Sequence, residues 1–166
     1  MAVPTFELMT GAERFEPRDF PVKDTTILDP TSSNPLVGGE WLEIDNATKK
    51  AQRAVGEMTN PYSGQFWGEK GRYDIRAINK VPLILWGNYE AYTYIYHNPA
   101  MPDANTPQTI GQYLSVRDVT YNGQTKKGLF VPTAAGHHFV VGYYYGPGRK
   151  TGEIRFMRRD PFDLVI

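Results

Sequence analysis

The chain contains no cysteine among its 166 residues. Disulfide bonds, thiolate metal ligands and a cysteine nucleophile are therefore excluded. An excess of charge of one sign is also lacking, because 18 basic side chains balance 18 acidic ones. Without a net charge, the protein has no long-range field that would attract DNA or an anionic membrane. We therefore expect neither a nucleic acid nor a membrane as its partner.

Long hydrophobic runs are missing too. The longest strongly apolar stretch is Val81 to Trp86, whereas a membrane-spanning helix needs about twenty residues. The first residues, Met1 to Pro4, do not combine a basic segment with a continuous apolar one, so we expect no signal peptide. The protein is expected to act where it is made, or to leave as part of a larger assembly.

Residues 1–38 differ from the rest of the chain in their proline pattern. Prolines at positions 4, 17, 21, 30 and 35 recur too often for a helix, because each lacks an N–H group and disfavours helix in the preceding residue. The segment also carries Phe6, Phe15 and Phe20, whereas purely disordered tails are poor in aromatics. We predict an extended N-terminal arm over 1–38 that docks these aromatics on its own chain or on a neighbour.

From Gly39 onward, the sequence has the pattern of short strands separated by turns. Alternating residues, short apolar runs and segments rich in aromatic and β-branched residues all favour strands. These strands are predicted over residues 40–44, 49–55, 73–78, 81–86, 90–96, 112–121, 128–131, 137–145 and 151–158. Asn122-Gly123 is a strong signal for a two-residue hairpin turn. Residues 39–166 are therefore predicted to form an all-β body, a small β-barrel or sandwich.

No residue pattern in the sequence indicates catalysis. Of the three histidines, His137 and His138 are adjacent, so on a strand they point to opposite faces and cannot easily bind one ion. The four serines lie outside any Gly-x-Ser-x-Gly frame. Glu43 and Asp45 share one strand face, where alternating charge usually meets solvent. We therefore predict no catalytic residue, no metal site and no cofactor, and a protein that is not an enzyme.

Tyrosines and basic residues interleave near the C-terminus. Three tyrosines precede two basic residues in the stretch Tyr143 to Lys150, and three more arginines follow at positions 155, 158 and 159. Such a strip suits either an acidic protein partner or a nucleic acid, whose bases stack on aromatic rings while its phosphates meet the arginines. Because the local excess of positive charge is modest, the pattern favours a protein partner.

Three stretches share a pattern of glycines, charged turns and strands: GEWLEID at 39–45, FWGEKGRYD at 66–74 and KVPLILWGNYEAYT at 80–93. Together they resemble the head decoration, or capsid cement, proteins of tailed bacteriophages. The resemblance covers residues 39–96, a little over a third of the chain. It implies a non-enzymatic β-barrel, present as a dimer or trimer, that binds the outer face of a capsid and clamps neighbouring subunits of the major capsid protein.

The resemblance also implies a location and a set of contact residues. The protein would be made in the host cytoplasm and act on the virion surface, where many copies of a modest contact resist the pressure of the packaged DNA. We predict capsid contacts at the arm aromatics and at the C-terminal arginines, namely Phe6, Phe15, Phe20, Arg155, Arg158 and Arg159. Trp41 and Trp67 are expected in the core.

Two other functions stay open at this point. A β-barrel binding module for a saccharide or for single-stranded nucleic acid would use the many tyrosines, although the zero net charge disfavours the nucleic acid. A different head or tail component of a virion is the other alternative.

Overall fold

The structure is a computed structural model that describes most of the chain. The described residues are 6–10, 17–33, 35–54, 56, 58, 60, 62–67, 79–85, 87–94, 107–121, 124–132 and 139–163. Several predictions from the sequence lie outside them: the strand over 73–78, the contacts of the Phe6 and Phe15 side chains, and all three histidines.

The predicted all-β class is confirmed. The described residues form eleven strands: β1 Phe6–Thr10, β2 Pro17–Pro21, β3 Trp41–Ile44, β4 Ala51–Gln52, β5 Ser63–Phe66, β6 Lys80–Ile84, β7 Tyr89–Thr93, β8 Tyr113–Tyr121, β9 Gln124–Pro132, β10 Phe139–Pro147 and β11 Ile154–Asp163. A single 3₁₀ turn, Thr25–Leu28, is the one helical element in this part of the chain. None of the described residues belongs to a helix with the length and apolar character needed to cross a bilayer.

The strands form two antiparallel sheets. The large sheet has the order β1-β7-β11-β10-β8-β9, and the small sheet has the order β2-β6-β5-β3-β4. The small sheet curls, because Val22, which follows β2 at one edge, forms a parallel bridge with Ala51 of β4 at the other edge. The connection after β4 joins the two sheets, since the Met58 N–H donates to the Val116 carbonyl of β8 at 3.1 Å.

Three pairs of consecutive strands form hairpins. β3 and β4 pair through Glu43 and Gln52, on either side of the short connection between the predicted strands 40–44 and 49–55. β8 and β9 pair up to Tyr121 and Gln124, so that only the predicted Asn-Gly pair separates them. β10 and β11 pair on either side of residues 148–153. Local turn chemistry therefore fixes the register of these strands.

The first hydrophobic core lies between the two sheets. Trp41 and Ile84 of the small sheet meet Tyr89, Leu114 and Phe156 of the large sheet, and all five side chains are almost fully buried. Burial of a side chain of this size contributes about 1.5–3 kcal/mol. The predicted burial of Trp41 is thus confirmed, and this core holds the sheets face to face.

Trp67 is not buried in this way, and the prediction that it lies in the core is wrong. Its side chain is 44% exposed, whereas that of the preceding Phe66 is fully buried. Successive side chains on a strand point to opposite faces. Because Phe66 points into the curl of the small sheet, Trp67, just past the end of β5, points away from it.

The second core fills the inside of the curled small sheet. Leu42 and Phe66 from β3 and β5 pack there with Val22, Ile27 and Leu28, which belong to the segment before β3. The small sheet is therefore buried on both of its faces, which explains why every residue of β3 and of β5 is buried.

Glu43 also differs from its expected place on a solvent face. It is only 7% exposed, because the large sheet covers the face of β3 that carries it. The backbone N–H of Asn60 donates to the Glu43 carboxylate at 3.3 Å, and the side-chain amide of Gln52 lies 3.5 Å from it. These donors offset part of the cost of removing the charge from water.

The described part of residues 1–38 packs on its own chain. β1 pairs with β7 at the edge of the large sheet, and β2 pairs with β6 at the edge of the small sheet. Beyond β2, Val22, Ile27, Leu28 and Leu36 enter the second core. This segment thus acts as a cover for the small sheet, and its docking on a neighbouring subunit stays a prediction.

Replacing Leu28 by alanine is expected to destabilise the protein by about 2–4 kcal/mol, since it leaves a cavity in the second core. The matched control is Thr25→Ala in the same 3₁₀ turn, where the side chain is exposed and the expected change stays within about 0.5 kcal/mol. Urea unfolding followed by tryptophan fluorescence measures both. Equal effects of the two substitutions would show that residues 25–28 do not belong to the core.

Candidate binding face

Ser63 is one of the four serines considered as a nucleophile, but the hydrogen bonds of its hydroxyl have a structural role. It is fully buried, its hydroxyl accepts from the Trp41 indole N–H at 2.8 Å, and it donates to the Met58 sulfur at 3.0 Å. Within the described residues, no three histidine, cysteine, aspartate or glutamate side chains lie close enough together to hold a metal ion.

Tyr89 has the most strongly shifted pKa among the described residues. Burial between the two sheets raises the pKa of its hydroxyl, and the nearby positive charge of Arg158 only partly opposes this shift. The Tyr89 hydroxyl donates to the side-chain oxygen of Gln65. Both side chains are at most 1% exposed, so no substrate reaches them and the shift reflects packing.

Arg158, predicted as a capsid contact, lies inside the protein. Its side chain is fully buried, and its guanidinium donates to the carbonyl oxygens of Leu85 at 2.8 Å and Gly87 at 2.6 Å. It lies 5.3 Å from the ring centre of Trp41 and 5.7 Å from that of Tyr89. Arg158 therefore ties β11 of the large sheet to the end of β6 in the small sheet, and it is not available to a partner's surface.

The outer side of the large sheet carries a different group of residues. We define the tyrosine–arginine face as Tyr92, Tyr113, Tyr143, Tyr145, Arg149, Arg155 and Arg159. The register places Arg155 beside Tyr92, and Tyr143 beside Tyr113. Because the residues between them point into the first core, alternation turns the members that lie on strands outward, and Arg149 follows in the turn between β10 and β11.

A β-bulge lies at Tyr145 on this face. Tyr144 pairs with Phe156 and Gly146 pairs with Arg155, so Tyr145 is the extra residue between two consecutive pairs. Such bulges redirect a side chain. Gly146 has a φ of 116°, which favours glycine at this point. The ring of Tyr145 is 42% exposed.

Each arginine of the face lies over a tyrosine ring. The guanidinium carbon is 4.0 Å from the ring centre of Tyr92 for Arg149, 5.2 Å from that of Tyr145 for Arg155, and 5.3 Å from that of Tyr143 for Arg159. Tyr143 also contacts Tyr113, with ring centres 5.1 Å apart. Cation–π contacts of this kind contribute about 0.5–1 kcal/mol at exposed sites and limit the rotamers of both side chains.

Two of these arginines are also ion-paired. Arg155 lies 2.6 Å from the Glu90 carboxylate, and this hydrogen bond raises the pKa of the arginine. Arg149 lies 3.6 Å from the Glu153 carboxylate, which also accepts from the Arg149 backbone N–H at 2.8 Å. The face therefore carries little net charge, although it is rich in arginine.

The structure separates the predicted contact residues into different places. Arg155 and Arg159 lie on the tyrosine–arginine face. Phe20 is half-buried on β2 of the small sheet, and the centre of its ring lies 5.9 Å from the ring centre of Tyr62. Phe6 lies on β1 opposite Thr93 of β7. Sequence reasoning missed Tyr92 and Tyr113, because only the strand register brings Tyr92 beside Arg155 and Tyr113 beside Tyr143.

Arg158→Lys is expected to destabilise the protein by about 2–4 kcal/mol. A lysine ammonium cannot reproduce the fork that reaches both carbonyls between two rings, so polar groups lose their partners inside the core. The neighbouring Arg159→Lys is the control and should change stability by less than about 0.5 kcal/mol. Urea unfolding of both variants tests the structural role of Arg158. Equal losses of stability in the two variants would contradict that role.

Tyr89→Phe is expected to cost about 1 kcal/mol at neutral pH, because the hydrogen bond to Gln65 is lost. In the unfolded chain this hydroxyl ionises near its ordinary pKa of 10.0, whereas in the folded chain its pKa is raised. The folded wild type therefore binds more protons above that pH and loses stability as the pH rises. The phenylalanine variant lacks this loss. Unfolding curves at neutral and alkaline pH should show that the difference in free energy of unfolding between the wild type and the variant becomes smaller as the pH rises. A constant difference would contradict the burial of this hydroxyl.

Comparison of the chain with protein-family models, with curated proteins and with solved structures finds no match. The likeness to head decoration proteins thus stays a resemblance in sequence pattern over residues 39–96.

Proposed function

We propose that the protein is a structural virion component that binds the outer surface of a capsid through its tyrosine–arginine face and bridges subunits of the major capsid protein. The observation that carries the proposal is this exposed face, on which each arginine is held over a tyrosine ring. The pattern in residues 39–96 supplies the capsid as the partner. On this proposal, the protein performs no catalysis and needs no cofactor.

The composition of the face favours a protein as the partner. Tyrosine and arginine are enriched among the residues that dominate the energy of protein interfaces. Rings and guanidinium groups already held against each other lose little conformational freedom when a partner binds. The ion pairs of Arg155 and Arg149 leave a surface of mixed polarity, which suits another protein surface better than a polyanion.

Bridging requires more than one contact per particle. In our proposal the protein acts as a dimer or trimer, so that each copy of the face contacts a different capsid subunit and the overall strength comes from multivalency. A contact of modest affinity then suffices to hold neighbouring subunits together. The site of action would be the capsid surface of the virion.

A binding module for a saccharide or for single-stranded nucleic acid is the second candidate. The exposed rings of Tyr113 and Tyr145 favour it, because bases and sugar rings both stack on aromatic side chains. Binding of a nucleic acid also draws on positive charge that releases counterions. On this face two of the three arginines already pair with carboxylates, which is why we place this candidate second.

Tyr145→Ala is expected to weaken capsid binding by about tenfold or more, since it removes an exposed ring that contacts Arg155 on the face. The assay mixes purified protein with empty expanded heads built from the major capsid protein of the same genome and measures co-sedimentation. Tyr62→Ala is the matched control, because that ring is 46% exposed but lies beside the small sheet, just before β5. Wild type and control should co-sediment to saturation.

The outcomes separate the candidates. Full-length protein that remains in the supernatant contradicts the capsid proposal. Loss of binding in the Tyr62 variant alone would move the contact to the small sheet. An electrophoretic shift of single-stranded DNA that requires Tyr145 would favour the second candidate. Deleting residues 1–38 is unsuitable for this assay, because it removes Ile27, Leu28 and Leu36 from the second core.

A further inference from the structure

Ile110 is the most exposed large hydrophobic residue in the part of the chain that the structure describes. Its side chain is 69% exposed, whereas those of Tyr113 and Tyr145 are 40% and 42% exposed. Single hydrophobic residues on a protein surface are common and need no explanation. Ile110 differs from these, because it lies beside two exposed rings of the tyrosine–arginine face in a turn of defined structure. We call residues 108–112, which directly precede β8, the Ile110 turn.

Hydrogen bonds within the Ile110 turn hold its shape. The side-chain oxygen of Gln112 accepts from the backbone N–H groups of Gln108 at 3.1 Å and of Thr109 at 3.4 Å. The Gln112 N–H donates to the Thr109 carbonyl at 3.0 Å. Gly111 has a φ of 87°, in the left-handed region that favours glycine. The turn is therefore closed by its own side-chain and backbone contacts.

Two further backbone hydrogen bonds attach this turn to β10 of the large sheet. The Gly111 N–H donates to the Tyr144 carbonyl at 2.7 Å, and the Tyr144 N–H donates to the Gln112 carbonyl at 2.8 Å. These bonds extend the pairing of β8 with β10, which the register gives for the first two residues of β8. Because the turn is tied to itself and to the sheet, Ile110 loses little backbone freedom when a partner binds.

The side chain of Ile110 packs over the backbone of Gly146. A Cβ on that glycine would lie 3.5 Å from the Ile110 Cδ1, which is ordinary van der Waals contact. Gly146 pairs with Arg155, and directly opposite residues of an antiparallel pair face the same side of the sheet. Ile110 therefore lies on the same side as Arg155 and projects from the surface next to the tyrosine–arginine face.

The chemistry of an aliphatic side chain determines which kind of partner it fits. An isoleucine side chain has no ring on which a base or a sugar stacks, and it forms no hydrogen bond. A nucleic acid or a saccharide therefore gains little from Ile110. Small-molecule sites are concave, whereas this side chain projects outward. The partner that buries it is another protein, with an apolar pocket of matching size.

We propose that Ile110 inserts into an apolar pocket of the major capsid protein when the tyrosine–arginine face binds the capsid. This inference rests on the proposed function, and it adds the chemistry of the partner's surface, a pocket for one branched aliphatic side chain. The position of Ile110 over Gly146, opposite Arg155, is the reason for assigning it to the same contact as the face. The ion pairs of Arg149 and Arg155 allow a pocket to close over Ile110 without burying an unpaired charge.

Two substitutions of nearly equal shape test the pocket in the co-sedimentation assay with empty expanded heads. Ile110→Val keeps a branched apolar side chain and should weaken capsid binding by about threefold. Ile110→Thr is equally β-branched, but its hydroxyl would enter the pocket without a hydrogen-bond partner, so binding should fall by about a further tenfold. Because the side chain is exposed, both variants should keep the melting temperature of the wild type.

The results distinguish a failure of this inference from a failure of the proposed function. If the wild type binds the heads and Ile110→Thr binds as well as Ile110→Val, the pocket is wrong, whereas the capsid proposal is unaffected. Wild-type protein that stays in the supernatant overturns both. Sedimentation equilibrium of the free protein is the third measurement. If Ile110→Thr converts an oligomer of the wild type into monomers, Ile110 lies between copies of this chain, and the inference is overturned.

Discussion

Burial of the small sheet on both faces is the constraint on which the rest of the structure depends. Its strands are short, so their ladder hydrogen bonds alone do not offset the loss of chain entropy. The large sheet covers one face through the first core, and residues 22–36 cover the other through the second core. Arg158 of β11 fixes the orientation of the large sheet on the small sheet, because its guanidinium donates to carbonyl groups of residues that follow β6. The tyrosine–arginine face, on the outer side of the large sheet, takes no part in these contacts.

Much of the fold could be predicted from the sequence, because its signals are local. Alternation and turn residues locate most strands, and the two-residue separation of β8 and β9 follows from Asn122-Gly123. Pairing between distant strands has no such signal. The place of residues 22–36 in the second core, and the burial of Glu43, depend on which sheet covers β3, and a single sequence does not contain that information in readable form.

The candidate face could be predicted only in part, for a related reason. Alternation along β11 shows that Arg158 and Arg159 point to opposite sides, but it does not show which side is the core. Arginine is rarely buried, so composition places both at the surface. The structure places Arg158 between Trp41 and Tyr89, while Arg159 lies over Tyr143. Tyr92 joins the face through its pairing opposite Arg155, from a strand distant in sequence.

Local neutralisation of charge connects the tyrosine–arginine face, the small sheet and the zero net charge of the chain. Glu90 pairs with Arg155 on the face, and Glu40, just before β3, pairs with Arg53, just after β4. Charges neutralised at such short range produce little field beyond a Debye length, so electrostatic steering contributes little to the approach of a partner. In the proposed function, recognition of the capsid therefore comes from direct contact, through stacking on the tyrosines of the face. Such contacts act mainly on the rate of dissociation, which the proposed multivalent attachment would slow further.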